Sequence, residues 1–155
     1  MAEIYPIKKE QISLLRTFLY EAIFQPETGE KLPKDIVDTP ELKIYVEDFG
    51  RPGDVGFLAW CGGRAVGAAW ARKMRGYGFV AENIPECSVS VLPEYRGKGI
   101  GTALLKCLLG ELQNQQVPGV SLSVQKQNPA VSLYERLGFC AVREEPEEWI
   151  MLLSW

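Results

Sequence analysis

The stretch SVLPEYRGKGIGTALL, residues 90–105, predicts a strand that runs into a helix through a turn with three glycines. Gly97, Gly99 and Gly101 stand at every second position, where the helix is about to begin. Glycine is unfavourable there unless the backbone must approach another group closely. Backbone N–H groups at a helix N-terminus have no intrahelical partner, and the helix dipole favours an anion beside them. The turn therefore indicates a site for a phosphate-bearing ligand.

Two common phosphate-binding patterns do not match this turn. The P-loop pattern GxxxxGK[ST] fails because no glycine has that spacing to a Gly-Lys-Thr or Gly-Lys-Ser. The dinucleotide pattern GxGxxG fails because its sixth position falls on Thr102 or Leu104. The pattern [RQ]-x-x-G-x-[GA] matches from Arg96 to Gly101 at each defined position. Taken alone, so short a match leaves a glycine-rich connection without a ligand as an equal alternative.

The rest of the chain predicts helices first, then a strand meander, then alternating strands and helices. Its 155 residues favour one domain with a core of its own. Gly62-Gly63 predicts a hairpin turn. Asn128 is expected to cap a helix, with Gly138 just past its end. The predicted strands are 3–7, 54–61, 64–74, 86–92, 120–124, 139–144 and 147–155; the predicted helices are 9–24, 40–50, 99–115 and 129–138, and 25–40 is a loop with one short helical turn.

A second block, NPAVSLYERLGF at residues 128–139, follows the glycine turn. The two blocks in this order resemble the signatures of the GNAT superfamily of acetyl-CoA-dependent N-acetyltransferases. The resemblance covers residues 84–143, whereas residues 8–50 carry almost no signature. It implies a single α/β domain, residues 1–155. The expected fold is a mixed, mostly antiparallel sheet with a splayed central pair of parallel strands and flanking helices.

The resemblance also implies how acetyl-CoA would bind as co-substrate. Strands 86–92 and 120–124 would splay apart and admit the pantetheine arm. Val91 and Leu92 would pair with that arm through their backbones, and the amide of one would polarise the thioester carbonyl. Asn128 would contact the coenzyme, cap its helix, or do both. The pyrophosphate would lie on the backbone of Arg96, Gly97, Lys98, Gly99, Ile100 and Gly101, with the hydroxyl of Thr102.

Two side chains are candidates for proton transfer. Tyr134 occupies the position where this family places its general acid, although a packed aromatic ring is the structural alternative. A thiol pKa near ~8.5 and a tyrosine pKa near ~10 are close enough for such a transfer. Glu86 begins a strand of small and apolar residues, so it is a candidate base or else a solvated strand end. Glu21 is a candidate for binding a cationic substrate or a solvated helix residue.

Composition excludes several classes of site. The chain has no histidine, which rules out Ser-His-Asp and Cys-His sites and histidine-bound zinc. Seventeen basic and twenty acidic residues give a net charge of −3, so neither nucleic acid nor a membrane is the expected partner. Without a signal-like N-terminus, we expect a cytoplasmic protein. Metal binding and disulfides are not expected, and the cysteines should be reduced thiols in or near the core: Cys61, Cys87, Cys107 and Cys140.

The predicted reaction is acetyl transfer from acetyl-CoA to a primary amine by direct attack in a ternary complex. The amine would belong to a small molecule or a peptide. A transferase for longer acyl-CoA and a non-catalytic module that binds acyl-CoA are the alternatives. A homodimer is one option for the assembly.

The acceptor amine is not defined by the sequence. In this family the corresponding segments, here residues 18–50, 73–82 and 144–150, shape the acceptor site. Trp60, Tyr77 and Phe79 would line that site or simply pack. An acidic run would attract a cationic amine or would be a solvated charge cluster, and consists of Glu144, Glu145, Glu147 and Glu148.

Overall fold

A computed structural model describes residues 2–26 and 29–155 of the chain. These residues form a seven-stranded sheet with the order β1-β2-β3-β4-β5-β7-β6. Every neighbouring pair is antiparallel except β4 and β5, which are parallel. This confirms the predicted mixed, mostly antiparallel sheet. The strands are β1 (Glu3–Pro6), β2 (Val55–Cys61), β3 (Arg64–Arg72), β4 (Glu86–Val91), β5 (Gly119–Gln125), β6 (Cys140–Glu144) and β7 (Glu148–Ser154).

Helices cover both faces of the sheet. On one face, the Ser90 hydroxyl of β4 donates a hydrogen bond of 2.7 Å to the carbonyl of Phe18 in a helix. On the other face, a Cβ built at Gly67 of β3 would lie 3.0 Å from Leu104, so that helix packs closely on the sheet. None of the helices in residues 2–26 and 29–155 is long and apolar enough to cross a membrane. The α-helices are α1 (Leu15–Ala22), α2 (Pro40–Lys43), α3 (Ile100–Asn114) and α4 (Ala130–Arg136).

The first two predicted helices are shorter than expected. Residues 9–14 of the predicted helix 9–24 form a 3₁₀ helix. The predicted helix 40–50 ends at Lys43. Just beyond it, the buried Arg72 guanidinium donates to the carbonyls of Ile44 and Glu47, at 3.0 and 2.7 Å. A helix that continued to residue 50 would use the Ile44 carbonyl for its own ladder.

The loop predicted over 25–40 contains the expected short helical turn, a 3₁₀ helix at Lys34–Asp38. Glu27 and Thr28, which belong to the same predicted loop, lie outside the described residues.

The cysteines are free thiols, but only part of the prediction for them holds. Cys87 is buried and Cys61 is half-buried. Cys107 and Cys140 are exposed, so a place in or near the core was wrong for these two. Cys140 belongs to β6, an edge strand whose residues are all exposed.

The parallel strands β4 and β5 touch at a single register position, Glu86 opposite Ser121. Beside it, the Ser121 amide donates to the Pro85 carbonyl at 2.9 Å. Beyond this point the two strands separate, which confirms the predicted splay. The gap leaves main-chain groups without a neighbouring strand in the middle of the sheet.

Candidate active site

The gap between β4 and β5 opens into a cleft of about 1180 Å³. Its walls include residues of α1, on one face of the sheet, and of α3 and α4, on the other. Of the predicted site residues, Leu92 and Lys98 do not line it; the Lys98 ammonium instead lies 5.5 Å from the centre of the Tyr95 ring. The structure thus brings together Glu86, Val91, Arg96, Gly97, Gly99, Ile100, Gly101, Thr102, Asn128 and Tyr134.

The glycine turn leads directly into α3. Gly99 is the N-cap of this helix with φ of 82°, and Gly97 has φ of 75°. A Cβ built at either position would meet no heavy atom within 4 Å, so glycine is needed there for the left-handed backbone and not for packing. The first amides of α3 lack intrahelical acceptors and face open space. This is the arrangement that binds an anion at a helix N-terminus.

The Arg96 side chain ties the end of β4 to α1. Its Nε donates to the Val91 carbonyl at 2.9 Å, and its Nη2 lies 3.2 Å from the Glu21 carboxylate. Glu21 lines the cleft but already has this cationic partner. The ion pair therefore contradicts Glu21 as a free carboxylate for a cationic substrate.

The main-chain groups of β4 divide between β3 and the cleft. The Leu92 amide donates to the Val66 carbonyl at 2.8 Å, and the Leu92 carbonyl accepts from the Tyr95 amide at 2.9 Å. Both polar main-chain atoms of Leu92 are thus engaged, which contradicts its predicted pairing with the pantetheine arm. Because pairing alternates along an antiparallel strand, Val89 and Val91 direct their main-chain groups toward the gap. Sequence analysis missed Val89, which only the strand register identifies.

Tyr134 lies on α4 in the wall of the cleft, with 8% of its surface exposed. Its ring packs edge-on against Phe139, with ring centres 5.8 Å apart. The helix ends immediately after it in a Schellman motif. The Phe139 amide donates to the Tyr134 carbonyl, and Gly138 adopts φ of 105° as expected for the residue past the helix end. These contacts fix the position of the tyrosine ring.

The Tyr134 hydroxyl is available to a ligand. Burial raises its pKa above the usual value, and the Cys87 thiol adds a smaller effect in the same direction. Burial also raises the pKa of Cys87 itself. Both groups therefore remain protonated at neutral pH. Tyr134 is therefore a protonated hydroxyl in the cleft wall, and Cys87 has the properties of an unreactive thiol.

Asn128 caps α4. Its side-chain oxygen accepts a hydrogen bond from the Ala130 amide at 2.9 Å, as predicted for a capping residue. It also lines the cleft, where its contact with the coenzyme stays a prediction.

Glu86 is a buried carboxyl group in the cleft wall, with 2% of its surface exposed. Its Oε2 accepts a hydrogen bond of 2.5 Å from the Tyr45 hydroxyl, which itself accepts from the Tyr77 amide at 2.9 Å. No described residue hydrogen-bonds its Oε1. Burial raises the pKa of Glu86 to about 7, although the bond from Tyr45 acts in the opposite direction. Such a carboxyl group can accept a proton near neutral pH.

The segment 73–82 covers this pair of side chains. A Cβ built at Gly76 would lie 2.6 Å from Glu86 Oε1 and 2.7 Å from the Tyr45 hydroxyl. The backbone of this segment therefore lies directly on Glu86 and Tyr45.

Tyr45 and Tyr77 form the aromatic part of this end of the cleft. Their ring centres are 6.4 Å apart, with 23° between the ring planes. Tyr77 lines the cleft, whereas Trp60 and Phe79, the other candidates, do not. Sequence analysis missed Tyr45 because it treated residues 40–50 as a continuous helix.

The acidic run separates into different environments. Glu144 pairs with Lys126 at 2.5 Å, and Glu145 pairs with Arg143 at 2.8 Å. Glu147 and Glu148 instead line the cleft, where Glu148 Oε2 accepts a hydrogen bond of 2.8 Å from the Ser123 hydroxyl. Among residues 2–26 and 29–155 there is no group of three or more His, Cys, Asp or Glu that could hold a metal ion.

Known proteins with similar sequence and fold are acetyltransferases. The chain is 33% identical over 115 residues to the mycothiol acetyltransferase of Pseudarthrobacter chlorophenolicus. The matched region covers 74% of this chain but 34% of that protein. It thus spans about a third of that relative's length. It is 30% identical to N-alpha-acetyltransferase 30 of Schizosaccharomyces pombe, covering 78% of this chain and 81% of that protein.

A solved structure shares the fold of this chain. The PaiA N-acetyltransferase from Thermoplasma acidophilum, solved in complex with coenzyme A, superposes with a TM-score of 0.73 at 20% identity, covering 100% of this chain and 99% of that one. Residues 17–139 match the model of the acetyltransferase (GNAT) family. The chain therefore belongs to the GNAT family of acetyltransferases.

Proposed function

We propose that this chain transfers the acetyl group of acetyl-CoA to a primary amine, with Glu86 as the base and Tyr134 as the acid. One observation carries the proposal. The strands that touch only at Glu86 and Ser121 open a cleft that an anion-binding turn, a neutral tyrosine and a buried carboxyl group all line. These are the groups that a thioester-dependent transfer to an amine requires.

The coenzyme would lie on the α3 and α4 side of the sheet. Its pyrophosphate would accept hydrogen bonds from the first amides of α3, with the Thr102 hydroxyl beside them. Its pantetheine arm would pair with Val89 and Val91 in the gap. The Val91 amide is directed there, while the Val91 carbonyl is held by Arg96. That amide is our candidate for the donor that stabilises the oxyanion.

The amine would enter from the side covered by α1 and α2, where Glu86 lies. The carboxylate, directly or through a water molecule, takes a proton so that the amine attacks as the neutral form. Attack on the thioester carbon gives a tetrahedral oxyanion. Its collapse breaks the C–S bond, and the Tyr134 hydroxyl protonates the departing thiolate. The acetylated nitrogen, which is positively charged after the attack, gives its extra proton to solvent. Solvent also takes the proton from Glu86 and returns one to Tyr134.

A panel of amines tests the proposed function. Purified protein is mixed with acetyl-CoA and single amines, and free coenzyme A is followed together with the acetylated product. We expect equal amounts of the two with at least one amine. A series of longer acyl-CoA thioesters tests the alternative donor, which a higher kcat/KM with a longer chain would favour. Tight acetyl-CoA binding without thiol release across the panel would support a binding module instead.

Gly101→Val is expected to weaken acetyl-CoA binding by about tenfold or more, or about 1.4 kcal/mol. Gly101 lies in the first turn of α3 without the left-handed backbone of Gly99, and a Cβ there would approach only Val91, at 3.8 Å. A methyl group thus fits, but the larger side chain would reach into the pyrophosphate site. Calorimetric titration of acetyl-CoA measures the effect.

Gly101→Ala is the matched control, because the pattern [RQ]-x-x-G-x-[GA] allows alanine here. It should keep affinity within about threefold. Thermal unfolding of both variants checks that α3 is intact. Unchanged affinity in a folded Gly101→Val protein would place the coenzyme away from this turn.

A further inference from the structure

We propose that the acceptor carries a second cationic group, which Glu148 and Tyr77 bind while the reacting amine lies at Glu86. The inference rests on the proposed function, because it assigns the acceptor of that same site. The ligand chemistry is a primary amine joined by a short apolar spacer to another ammonium or guanidinium. An aliphatic diamine and a peptide with a neighbouring basic side chain both present it.

Glu148 is the first observation. It is half-buried in the cleft wall, and its one side-chain hydrogen bond comes from the neutral Ser123 hydroxyl. The ion pairs of the same hairpin use Glu144 and Glu145, and Glu148 takes part in none among the described residues. A partly buried carboxylate without a counter-charge is unfavourable unless a ligand supplies one.

Glu86 is the second, independent observation. Its Oε1 is buried beneath the Gly76 backbone without a hydrogen-bond partner among the described residues, and Glu86 lines the same cleft. Glu148 is near enough for its charge to be felt at Glu86, where it adds to the burial that raises the pKa. Of the basic residues in the cleft wall, Arg96 is bound to Glu21 and Arg136 lies in the last turn of α4, on the coenzyme side. The acidic side chains of the cleft wall outnumber these two basic ones, and they are Glu21, Glu86, Glu147 and Glu148.

Tyr77 supplies an exposed aromatic surface in the same cleft wall. Its ring stacks on Tyr45, its amide is held by the Tyr45 hydroxyl, and 47% of its surface is exposed. Partial burial, followed by the charges of Glu41 and Glu148, raises the pKa of its hydroxyl, so two carboxylates lie near it. A ring held in place beside negative charge favours a cation on its open face.

The register of the sheet sets the backbone spacing between Glu86 and Ser123, the residue whose hydroxyl holds Glu148. Glu86 pairs with Ser121, and Ser123, which holds Glu148, lies two residues further along β5 on the same face. The distance between the backbones of Glu86 and Ser123 is about 8 Å, given by one inter-strand distance and the rise of two residues along β5. The splay of the two strands increases this distance. The acceptor therefore needs a spacer of several atoms between its two cations.

Diamines compared with monoamines of equal length test the inference. Diaminobutane, diaminopentane and diaminohexane are measured against butylamine, pentylamine and hexylamine, with acetyl-CoA saturating. We expect at least one diamine to exceed its monoamine by about tenfold or more in kcat/KM. A second set of acceptors consists of peptides with lysine or norleucine at the second position. If the ratio of kcat/KM for lysine to norleucine exceeds the ratio for diamine to monoamine, a peptide is the source of the second cation.

Glu148→Gln should remove most of the diamine preference, measured as the ratio of kcat/KM for a diamine to kcat/KM for its monoamine. Glu144→Gln is the matched control, because Glu144 lies on the same hairpin but pairs with Lys126 away from the cleft wall. Tyr77→Leu, at an exposed side chain, should lower the preference by about threefold or more.

The same compounds can be titrated into protein saturated with coenzyme A, so binding is tested without turnover. Tighter binding of diamines to the wild type than to Glu148→Gln supports the inference even where catalysis is absent. Equal turnover and binding of diamines and monoamines would overturn it and leave the acetyl transfer proposal intact. Absence of thiol release with every amine would contradict that proposal instead.

Discussion

Tyr134→Phe is expected to lower kcat by about 10²- to 10⁴-fold and to keep acetyl-CoA affinity nearly unchanged. The variant keeps the ring that packs on Phe139 and removes only the hydroxyl, which would protonate the departing thiolate. Burial holds that hydroxyl in its protonated form by raising its pKa. The measurement is kcat across a pH range, with acetyl-CoA affinity from calorimetry.

Tyr20→Phe is the matched control for this prediction. The Tyr20 hydroxyl donates to the Leu32 carbonyl at 2.6 Å, and the residue does not line the cleft. Its loss should cost about 1 kcal/mol of stability and leave kcat alone. If Tyr134→Phe reduced kcat by less than about threefold with acetyl transfer rate-limiting, Tyr134 would be removed from the mechanism and water would be the donor.

Glu86→Gln is expected to lower kcat/KM by about 10²- to 10⁴-fold and to abolish its rise with pH. In the wild type the base must be ionised, so kcat/KM should increase as pH rises through about 7, the pKa of Glu86. Glutamine keeps the size of the side chain and an oxygen that accepts from Tyr45, but it cannot take a proton. A variant with the same profile as the wild type would rule out Glu86 as the base.

Tyr45→Phe should shift the pH dependence of kcat/KM, whereas Glu86→Gln should abolish it. The hydrogen bond from Tyr45 favours the ionised form of Glu86 and holds its pKa down. Removing that bond should move the rising limb of kcat/KM to higher pH, whereas a purely structural Tyr45 would lower activity equally at every pH.

The pH dependence of the free energy of unfolding gives a second measurement of the Glu86 pKa. Folding raises this pKa from about 4.5 to about 7. Between these values the folded protein holds a proton that the unfolded chain has released. The free energy of unfolding contributed by Glu86 should therefore be fully present below pH 4.5 and lost as pH rises to about 7. Glu86→Gln should lack this part of the pH dependence in denaturant unfolding.

Features with local signals were predictable from the sequence. The helix that begins at the glycine turn could be predicted from a strand-like stretch, three glycines and an amphipathic run. Gly62 and Gly63 have φ of 56° and 82°, as a tight hairpin turn requires. The end of α4 at Gly138 followed from one glycine. These signals act within a few residues, so no knowledge of the tertiary structure was needed.

Features that depend on distant contacts were not predictable. The helix expected over 40–50 stops early because Arg72, from a strand far along the chain, takes the carbonyls of Ile44 and Glu47. Tyr45, in the same stretch, contacts Glu86, which is 41 positions away in the chain. No local pattern contains that information.

The residues of the candidate site also fall into a predictable and an unpredictable group. Tyr134, Glu86 and the glycine turn were found from motifs and strand alternation, and they share one cleft. Leu92 was wrongly included, because its engagement with Val66 depends on the register between β3 and β4.

The most direct test of acetyl transfer without a covalent intermediate is a rapid-quench single turnover followed by intact-protein mass spectrometry. Protein and acetyl-CoA are mixed first without and then with an active amine. Direct attack predicts an unmodified protein before amine is added, and acetylated amine equal to the coenzyme A released afterwards. An acetylated protein, at Cys87 or Cys140 for example, that passes its acetyl group to the amine at the rate of turnover would contradict it.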